Sequence, residues 1–327
     1  MSGTTDITRP PEPDWAALTA EDLAAYRDAE NRFRASAAAR AVTGEPDAGA
    51  AIAWQQVALP GRELPVRVYR PVDAGGDGVG SGGDGGGGGD GLPLVVHVHG
   101  GGFVGTAVQC DGYAGHLAAH LPAVLVSVEH RLLDHGTSLR DAADDGWDVL
   151  DHVVRNAARW GVDPQRTAVL GESCGGLISA LTALRAKDAG LRLRAQVLVN
   201  PAVDVTGTML DHASMAAYGN TPTLALPQLR LFQRLGVPAG TDARALSPLH
   251  ADDLGGLAPA LLVVPTADPL ADHGRRYAER LRAAGTPVRL SEYEGAGHAF
   301  LSMPGLSPHA VPARAEILDF LRAALAR

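Results

Sequence analysis

The residues most capable of chemistry form the glycine-bounded pattern Gly171-Glu172-Ser173-Cys174-Gly175. The apolar residues before this pattern are typical of a buried parallel strand, and those after it have helical spacing. A strand-turn-helix this tight strains the backbone at the serine, so the flanking glycines are needed to avoid collisions. The turn would expose the serine hydroxyl and direct the first amides of the helix at anything bonded to it. The pattern predicts a nucleophilic serine, although taken alone it also fits an ordinary glycine-rich loop.

A second glycine cluster, His99-Gly100-Gly101-Gly102, follows an apolar stretch. Consecutive glycines let the backbone approach a ligand closely and leave the amides unobstructed. We expect the amides of Gly101, Gly102 and Cys174 to form an oxyanion hole, which stabilises negative charge on a carbonyl oxygen. His99 is expected to hold this loop in shape rather than to transfer protons.

A serine hydroxyl needs a base, and the base needs an acid to orient it. His298 lies in a glycine-containing turn at the end of a late predicted strand, and Asp268 directly follows another apolar strand. The order Ser173, Asp268, His298 is the order found in α/β-hydrolases. Asp272 is the rival acid, but it stands where a helix N-cap would be, so Asp268 is preferred.

The two cysteines and the remaining histidines predict neither a disulfide nor a metal site. Cys110 and Cys174 fit neither a disulfide framework nor a zinc spacing. We expect the Cys174 side chain to point away from the pocket, leaving only its amide for catalysis. No HExxH motif occurs, and the predicted chemistry requires no metal or cofactor.

Two features precede the main αβ pattern. A capping box formed by Thr19 and Asp22 predicts a helix that ends near Arg40. Residues 73–91 are almost entirely glycine and aspartate, a composition that cannot bury apolar surface and predicts a flexible, functionally silent loop. A phosphate-binding loop is the alternative, but the stretch lacks the required lysine.

Residues 51–71 follow a period of two, which predicts an antiparallel hairpin. Val66 and Val68 are expected to face the core, with Arg67 and Tyr69 facing outward.

Strands and helices then alternate from residue 94 onward, which predicts an α/β fold with a mostly parallel, doubly wound sheet. Ligands bind beyond the carboxyl ends of such strands, where every residue proposed above falls. Residues 203–246 break the alternation and are predicted to be a cap insertion. Residues 1–50 would add N-terminal cap helices, and residues 51–202 with 247–327 would form the catalytic domain.

Composition narrows the classes of partner. The chain has 327 residues and a formal net charge of −9, which argues against binding to nucleic acid or an anionic membrane surface. We find no signal-type segment and no uninterrupted apolar run long enough to span a membrane. The cytoplasm is therefore the expected location, and no oligomeric state is predicted.

Together, HGGGF, GESCGG, the Asp268-Pro269-Leu270 turn and Gly297-His298 resemble the bacterial hormone-sensitive-lipase-like branch of the α/β-hydrolases. The resemblance covers about residue 50 to the C-terminus. It implies carboxylic-ester hydrolysis with Ser173 as nucleophile under a helical cap. Residues 129–135 depart from the family's usual Tyr-Arg-Leu-Ala-Pro-Glu run, which leaves the acyl group open.

Three functions remain at this point. The first is hydrolysis of small apolar or short-chain esters, because the predicted cap contains several large apolar residues. The second keeps the triad but acts on an amide or lactone, or transfers an acyl group in a biosynthetic pathway. The third is a non-catalytic binder of a small ligand, which the presence of His298 disfavours.

Overall fold

The structure is a computed structural model that describes residues 7–72 and 91–326. The predicted glycine-rich loop, residues 73–91, lies outside the described residues except for Gly91.

An eight-stranded sheet forms the centre of the molecule, in the order β1-β2-β4-β3-β5-β6-β9-β10. All neighbours from β4 to β10 run parallel, whereas β2 is antiparallel to both β1 and β4. The strands of this sheet are β1 (Ala50–Leu59), β2 (Arg62–Pro71), β3 (Leu92–Val98), β4 (Val124–Val128), β5 (Val162–Glu172), β6 (Ala195–Val199), β9 (Ala260–Ala267) and β10 (Val288–Gly297). The short strands β7 (Asn220–Thr221) and β8 (Leu224–Ala225) form a separate hairpin.

Helices cover both faces of the sheet, because its central strands are apolar on both sides. One face packs against α3 (Asp111–His120) and α10 (Ala310–Leu325). The other packs against α4 (Leu139–Arg155), α6 (Cys174–Asp188) and α9 (Ala271–Ala283), with the short α5 (Ala157–Trp160) following α4.

Because helices cover both faces of the sheet, residues on both sides of β2 are buried, as Tyr69 shows. It was predicted to face outward, yet it is fully buried in the core beneath α3. Its hydroxyl donates to Asp111 at 2.8 Å, and Arg67 binds the same carboxylate through two hydrogen bonds of 2.6 Å. The outward prediction for Tyr69 is wrong because a helix, not water, lies on that side of β2.

The N-terminal segment forms two helices where one was predicted. The capping box at Thr19 is present and begins α1 (Ala20–Arg34). The helix is interrupted at Ala35 and Ser36. The Ser36 side chain then accepts a hydrogen bond from the Ala39 amide and caps the start of α2 (Ala37–Thr43). Serine competes well for this position because its hydroxyl satisfies a free amide at the helix start.

The segment between β6 and β9 contains α7 (Ala213–Tyr218), the β7–β8 hairpin and α8 (Leu226–Gly236). Phe232 of α8 packs against Trp15, with ring centroids 5.9 Å apart, and so joins this segment to the N-terminal region. Within the ranges 7–72 and 91–326, every helix is too short or too polar to cross a bilayer.

Gly146 of α4 packs directly against α6. A Cβ atom at this position would lie 2.6 Å from the Ile178 side chain and 2.9 Å from Thr182 Oγ1. Both distances are below ordinary van der Waals contact, so only glycine fits between the two helices.

We predict that Gly146→Ala lowers the free energy of unfolding by about 1–2 kcal/mol, since overpacking outweighs the gain in helix propensity. Gly115→Ala in α3 is the matched control, because its Cβ would have no neighbour nearer than 3.4 Å. Urea unfolding followed by circular dichroism measures both. Equal stability of the two variants would show that the α4–α6 contact is not tight.

Candidate active site

The strand-turn-helix predicted at Ser173 is present where β5 meets α6. Ser173 has φ 57° and ψ −119°, a conformation that residues other than glycine rarely adopt. A Cβ at Gly171 would lie 2.2 Å from the Gly175 carbonyl oxygen, and one at Gly175 would lie 2.1 Å from the Val98 carbonyl oxygen. Both glycines are therefore required by close backbone contacts, as the pattern indicated.

Ser173, His298 and Asp268 lie in one hydrogen-bonded chain. The Ser173 hydroxyl is 2.9 Å from His298 Nε2, and His298 Nδ1 is 2.8 Å from Asp268 Oδ2. All three side chains are buried, and the Leu270 amide donates to the other Asp268 oxygen at 2.8 Å. With Nδ1 protonated, His298 presents the lone pair of Nε2 to the serine.

The rival carboxylate, Asp272, points elsewhere. It lies in the first turn of α9, where it accepts a hydrogen bond from the Ser214 amide at 2.9 Å and one from Arg275 at 3.0 Å. The structure thus brings Asp268, and not Asp272, to His298.

Opposing effects act on the pKa of His298. Burial alone would lower it, but the charge of Asp268, the hydrogen bond to that carboxylate and the nearby charge of Glu172 together raise the pKa above 6.5. The buried carboxylate therefore favours the imidazolium form of His298, the form that a base takes after it accepts a proton.

The loop after β3 runs beside the serine, and its backbone is unusual. Gly101 and Gly102 have φ 101° and 62°. His99 is buried with Nδ1 donating to the Gly100 carbonyl at 2.9 Å, and its ring stacks on His130 at 4.4 Å. Burial lowers the pKa of His99 to about 4, so the ring is neutral and serves the shape of the loop.

The side chain of Cys174 does not point away from the site, so that prediction is wrong. Cys174 lines a small cavity next to Ser173, and its thiol lies on the side of the glycine loop. Burial raises the pKa of this thiol, which makes it less reactive, whereas the amides of Gly102 and Phe103 act to lower the pKa. Cys110 is likewise free and buried.

Glu172, the carboxylate before the serine, is buried and accepts a hydrogen bond from the Ser302 hydroxyl. Burial raises the pKa of Glu172, while Ser302 and His298 act in the opposite direction. The carboxylate thereby ties β5 to the segment that follows His298.

Three residues that the sequence analysis missed support the glycine loop. Gln109 Nε2 donates to the Gly100 carbonyl at 2.8 Å, and the Gln109 side-chain oxygen accepts from Arg34 of α1. Arg34 in turn pairs with the buried carboxylate of Glu30 at 2.9 Å. No motif signals this chain of contacts, because Arg34 and Gln109 lie 75 residues apart.

Two charged residues of the unusual segment at residues 129–135 form contacts with neighbouring parts of the fold. Glu129 accepts from the Ala107 amide at 2.8 Å, and Arg131 pairs with the buried Asp145 at 2.9 Å. Only Leu133 of this segment lines either cavity at the serine.

Two cavities meet at Ser173. The larger, about 290 Å³, is lined by the N-terminal region, Gly101, Gly102 and His298. The smaller, about 50 Å³, is apolar and lies between Cys174 and α8.

A buried Ser-His-Asp chain, an adjacent glycine loop and a mostly parallel sheet define the class of protein as an α/β-hydrolase. A family model described as alpha/beta hydrolase fold matches residues 95–302. The chain therefore belongs to the α/β-hydrolase family, which confirms the predicted fold and family.

Similar proteins include carboxylesterase NlhH of Mycobacterium tuberculosis, 36% identical over 273 residues that cover 80% of this chain and 79% of that protein. Ethyl acetate hydrolase of Pseudomonas putida is 32% identical over 250 residues, covering 74% of this chain and 73% of its own length. Among solved structures, the hyperthermophilic esterase of Pyrobaculum calidifontis has a TM-score of 0.80 at 29% identity, covering 94% and 95% of the two chains.

The raised pKa of His298 predicts the pH profile of ester hydrolysis. Only neutral His298 accepts the serine proton, so kcat/KM falls as the pH drops through a value above 6.5. Asp268→Asn removes the charge that raises this pKa, so the acid limb moves to lower pH, and kcat falls by about 10⁴-fold.

Asp272→Asn is the matched control and should keep both the acid limb and kcat. The measurement is kcat/KM for a p-nitrophenyl ester from pH 5 to 9, with release read at a pH-independent wavelength. An unshifted limb in Asp268→Asn would contradict the assignment of the orienting acid.

Proposed function

We propose that the chain is a serine carboxylic ester hydrolase in which Ser173 is the nucleophile, His298 the base and Asp268 the orienting acid. The observation that carries this proposal is the continuous hydrogen-bonded chain from Ser173 Oγ through His298 to Asp268. The names of the relatives, a carboxylesterase and an ethyl acetate hydrolase, support it.

The first half of the reaction makes an acyl-enzyme. Ser173 Oγ attacks the ester carbonyl carbon while its proton passes to His298 Nε2. Negative charge then develops on the carbonyl oxygen, and the amides of Gly101, Gly102 and Cys174 are its donors. As the tetrahedral intermediate collapses, the C–O bond breaks and His298 returns the proton to the leaving alcohol.

The second half releases the acid by the same groups. Water replaces the alcohol, loses a proton to His298 as its oxygen attacks the acyl carbon, and the carboxylic acid departs with Ser173 restored. Asp268 holds the imidazole in the required tautomer throughout.

The two cavities support a short acyl group. The cavity of about 50 Å³ is much smaller than the other cavity and is lined mainly by apolar side chains, which suits a short acyl chain. We assign the acyl group to this apolar cavity and the alcohol to the larger one. Glu12, Arg9 and Arg34 add polar groups to the larger cavity, which suits it to a more varied alcohol.

We infer that residues 1–50 and 203–246 act as a cap over a catalytic domain of residues 51–202 and 247–327. Arg27 of α1 supports this assignment by donating to the carbonyls of Phe103 and Leu133 at 2.8 and 2.7 Å. The two free, buried cysteines support a reducing, cytoplasmic location.

Among residues 7–72 and 91–326, no contact favours an amide, a lactone or an acyl acceptor other than water over an ester. The hydrogen bond between Ser173 and His298 disfavours a binding-only role. Anilides and lactones tested beside esters of the same acyl group separate these chemistries.

Ser173→Ala is expected to lose at least about 10⁴-fold in kcat for p-nitrophenyl acetate, because the nucleophile is gone while binding and amide donors remain. The variant should unfold at the wild-type temperature and resist labelling by a fluorophosphonate probe. Ser179→Ala in α6 is the control, since among the described residues its buried hydroxyl has no hydrogen-bond partner. Turnover by Ser173→Ala at the wild-type rate would refute the proposal.

Leu229→Ala is expected to shift acyl preference toward longer chains, because Leu229 of α8 lines the small cavity. In a series of p-nitrophenyl esters from acetyl to octanoyl, the maximum of kcat/KM should move by about two to three methylenes, the volume of the atoms removed. Leu231→Ala is the control from the same helix, since Leu231 is buried but lines neither cavity. The same shift in both variants would place the acyl group elsewhere.

A further inference from the structure

Two histidines and an aspartate meet on the surface, away from both cavities. Asp47 Oδ2 lies 3.4 Å from His116 Nδ1 and 3.6 Å from His120 Nδ1. One potential ligand atom from each residue lies within 4.8 Å of the other two. Within the residues that the structure describes, this is the one group of three such side chains that could hold a metal ion.

The geometry of α3 creates half of this cluster. His116 and His120 are four residues apart, which places them on the same helix face, and their ring centroids are 4.2 Å apart. A pair of histidines at this spacing is the arrangement by which helices chelate zinc.

Asp47 completes the cluster from a different part of the chain. It lies between α2 and β1, and its Oδ1 accepts the Gly49 amide at 2.9 Å, which holds the carboxylate in place. The other oxygen, Oδ2, is thereby turned to the two imidazoles.

The separations match those of a metal site. Ligand atoms about 2.0–2.1 Å from a tetrahedral zinc ion lie about 3.4 Å from one another, close to the 3.4 and 3.6 Å seen at Asp47. All three side chains are partly exposed, so an ion and one or more waters have access.

The charge states also suit a cation. The Gly49 amide lowers the pKa of Asp47, which keeps it a carboxylate. Burial and the neighbouring His120 lower the pKa of His116, which favours the neutral imidazole that coordinates metals, whereas the hydrogen bond and charge of Asp47 act in the opposite direction. In the metal-free arrangement His120 Nδ1 is 2.9 Å from the His116 carbonyl, so coordination through this atom would replace that bond, with the ring proton carried on Nε2.

We propose that Asp47, His116 and His120 form a binding site for a divalent transition-metal ion, with Zn²⁺ as the expected occupant. Imidazole and carboxylate ligands suit Zn²⁺ far better than Mg²⁺ or Ca²⁺. The ion would tie the segment between α2 and β1 to α3, and so fasten the N-terminal helices to the sheet. Because none of the three residues lines a cavity at Ser173, the role is structural and independent of ester hydrolysis.

Isothermal titration of tag-free protein with ZnCl₂ tests the site. We expect one ion per chain, with Kd weakened by at least about tenfold in Asp47→Asn, His116→Ala and His120→Ala, since loss of a metal-site group costs 10–100-fold. His135→Ala, which removes an exposed histidine outside the cluster, should bind as wild type.

Thermal unfolding gives a second readout. At a zinc concentration about 100 times Kd, the wild-type Tm should rise by about 4 °C, and the cluster variants should not respond. MgCl₂ should have no effect on either. Absence of saturable zinc binding in wild type, or equal binding by wild type and all three cluster variants, would overturn the proposal, whatever the esterase assays show.

Discussion

The structure depends on one strained residue. Ser173 occupies a backbone conformation that costs roughly 1–3 kcal/mol, and it persists only where the surroundings fix it. Its amide donates to the Val199 carbonyl and its carbonyl accepts the Ala202 amide, so β6 and the chain beyond it hold both ends of the residue. Gly175 lies against the backbone of β3 on the other side. Contacts with the neighbouring parallel strands therefore hold Ser173 in the strained conformation that exposes its hydroxyl beyond the end of β5.

Burial then gives the site its electrostatic character. Asp268 is removed from water, so its attraction to His298 is weakly screened and can outweigh the desolvation of the imidazole. A carboxylate in this position must itself be held, and the Leu270 amide does so at 2.8 Å. The turn after β9 thus provides both the carboxylate that binds His298 Nδ1 and the amide that holds this carboxylate. The local fold of residues 268–270 therefore fixes the tautomer of a histidine thirty residues away.

Sequence patterns predicted the features that depend on residues close together in the chain. The glycines around Ser173 and in the loop after His99 follow from backbone crowding, and the order of strands and helices follows from hydrophobic spacing. The patterns could not predict contacts between distant segments. The support of Gly100 by Gln109 and Arg34 depends on where α1 packs, and the orientation of the Cys174 side chain depends on how the glycine loop closes over the elbow.

The position of Cys174 links the chemistry to the choice of substrate. Its amide opens α6 beside Ser173, while its side chain lines the small cavity opposite α8. A larger residue at 174 would fill the space proposed for the acyl group without moving the amide, whereas a change in α8 would alter the cavity from its far wall. In the proposed assignment, the acyl group would thus be bounded on one side by the elbow at Cys174 and on the other by α8. The α8 wall can change without disturbing the elbow, whereas Cys174 also contributes the amide that we propose as an oxyanion donor.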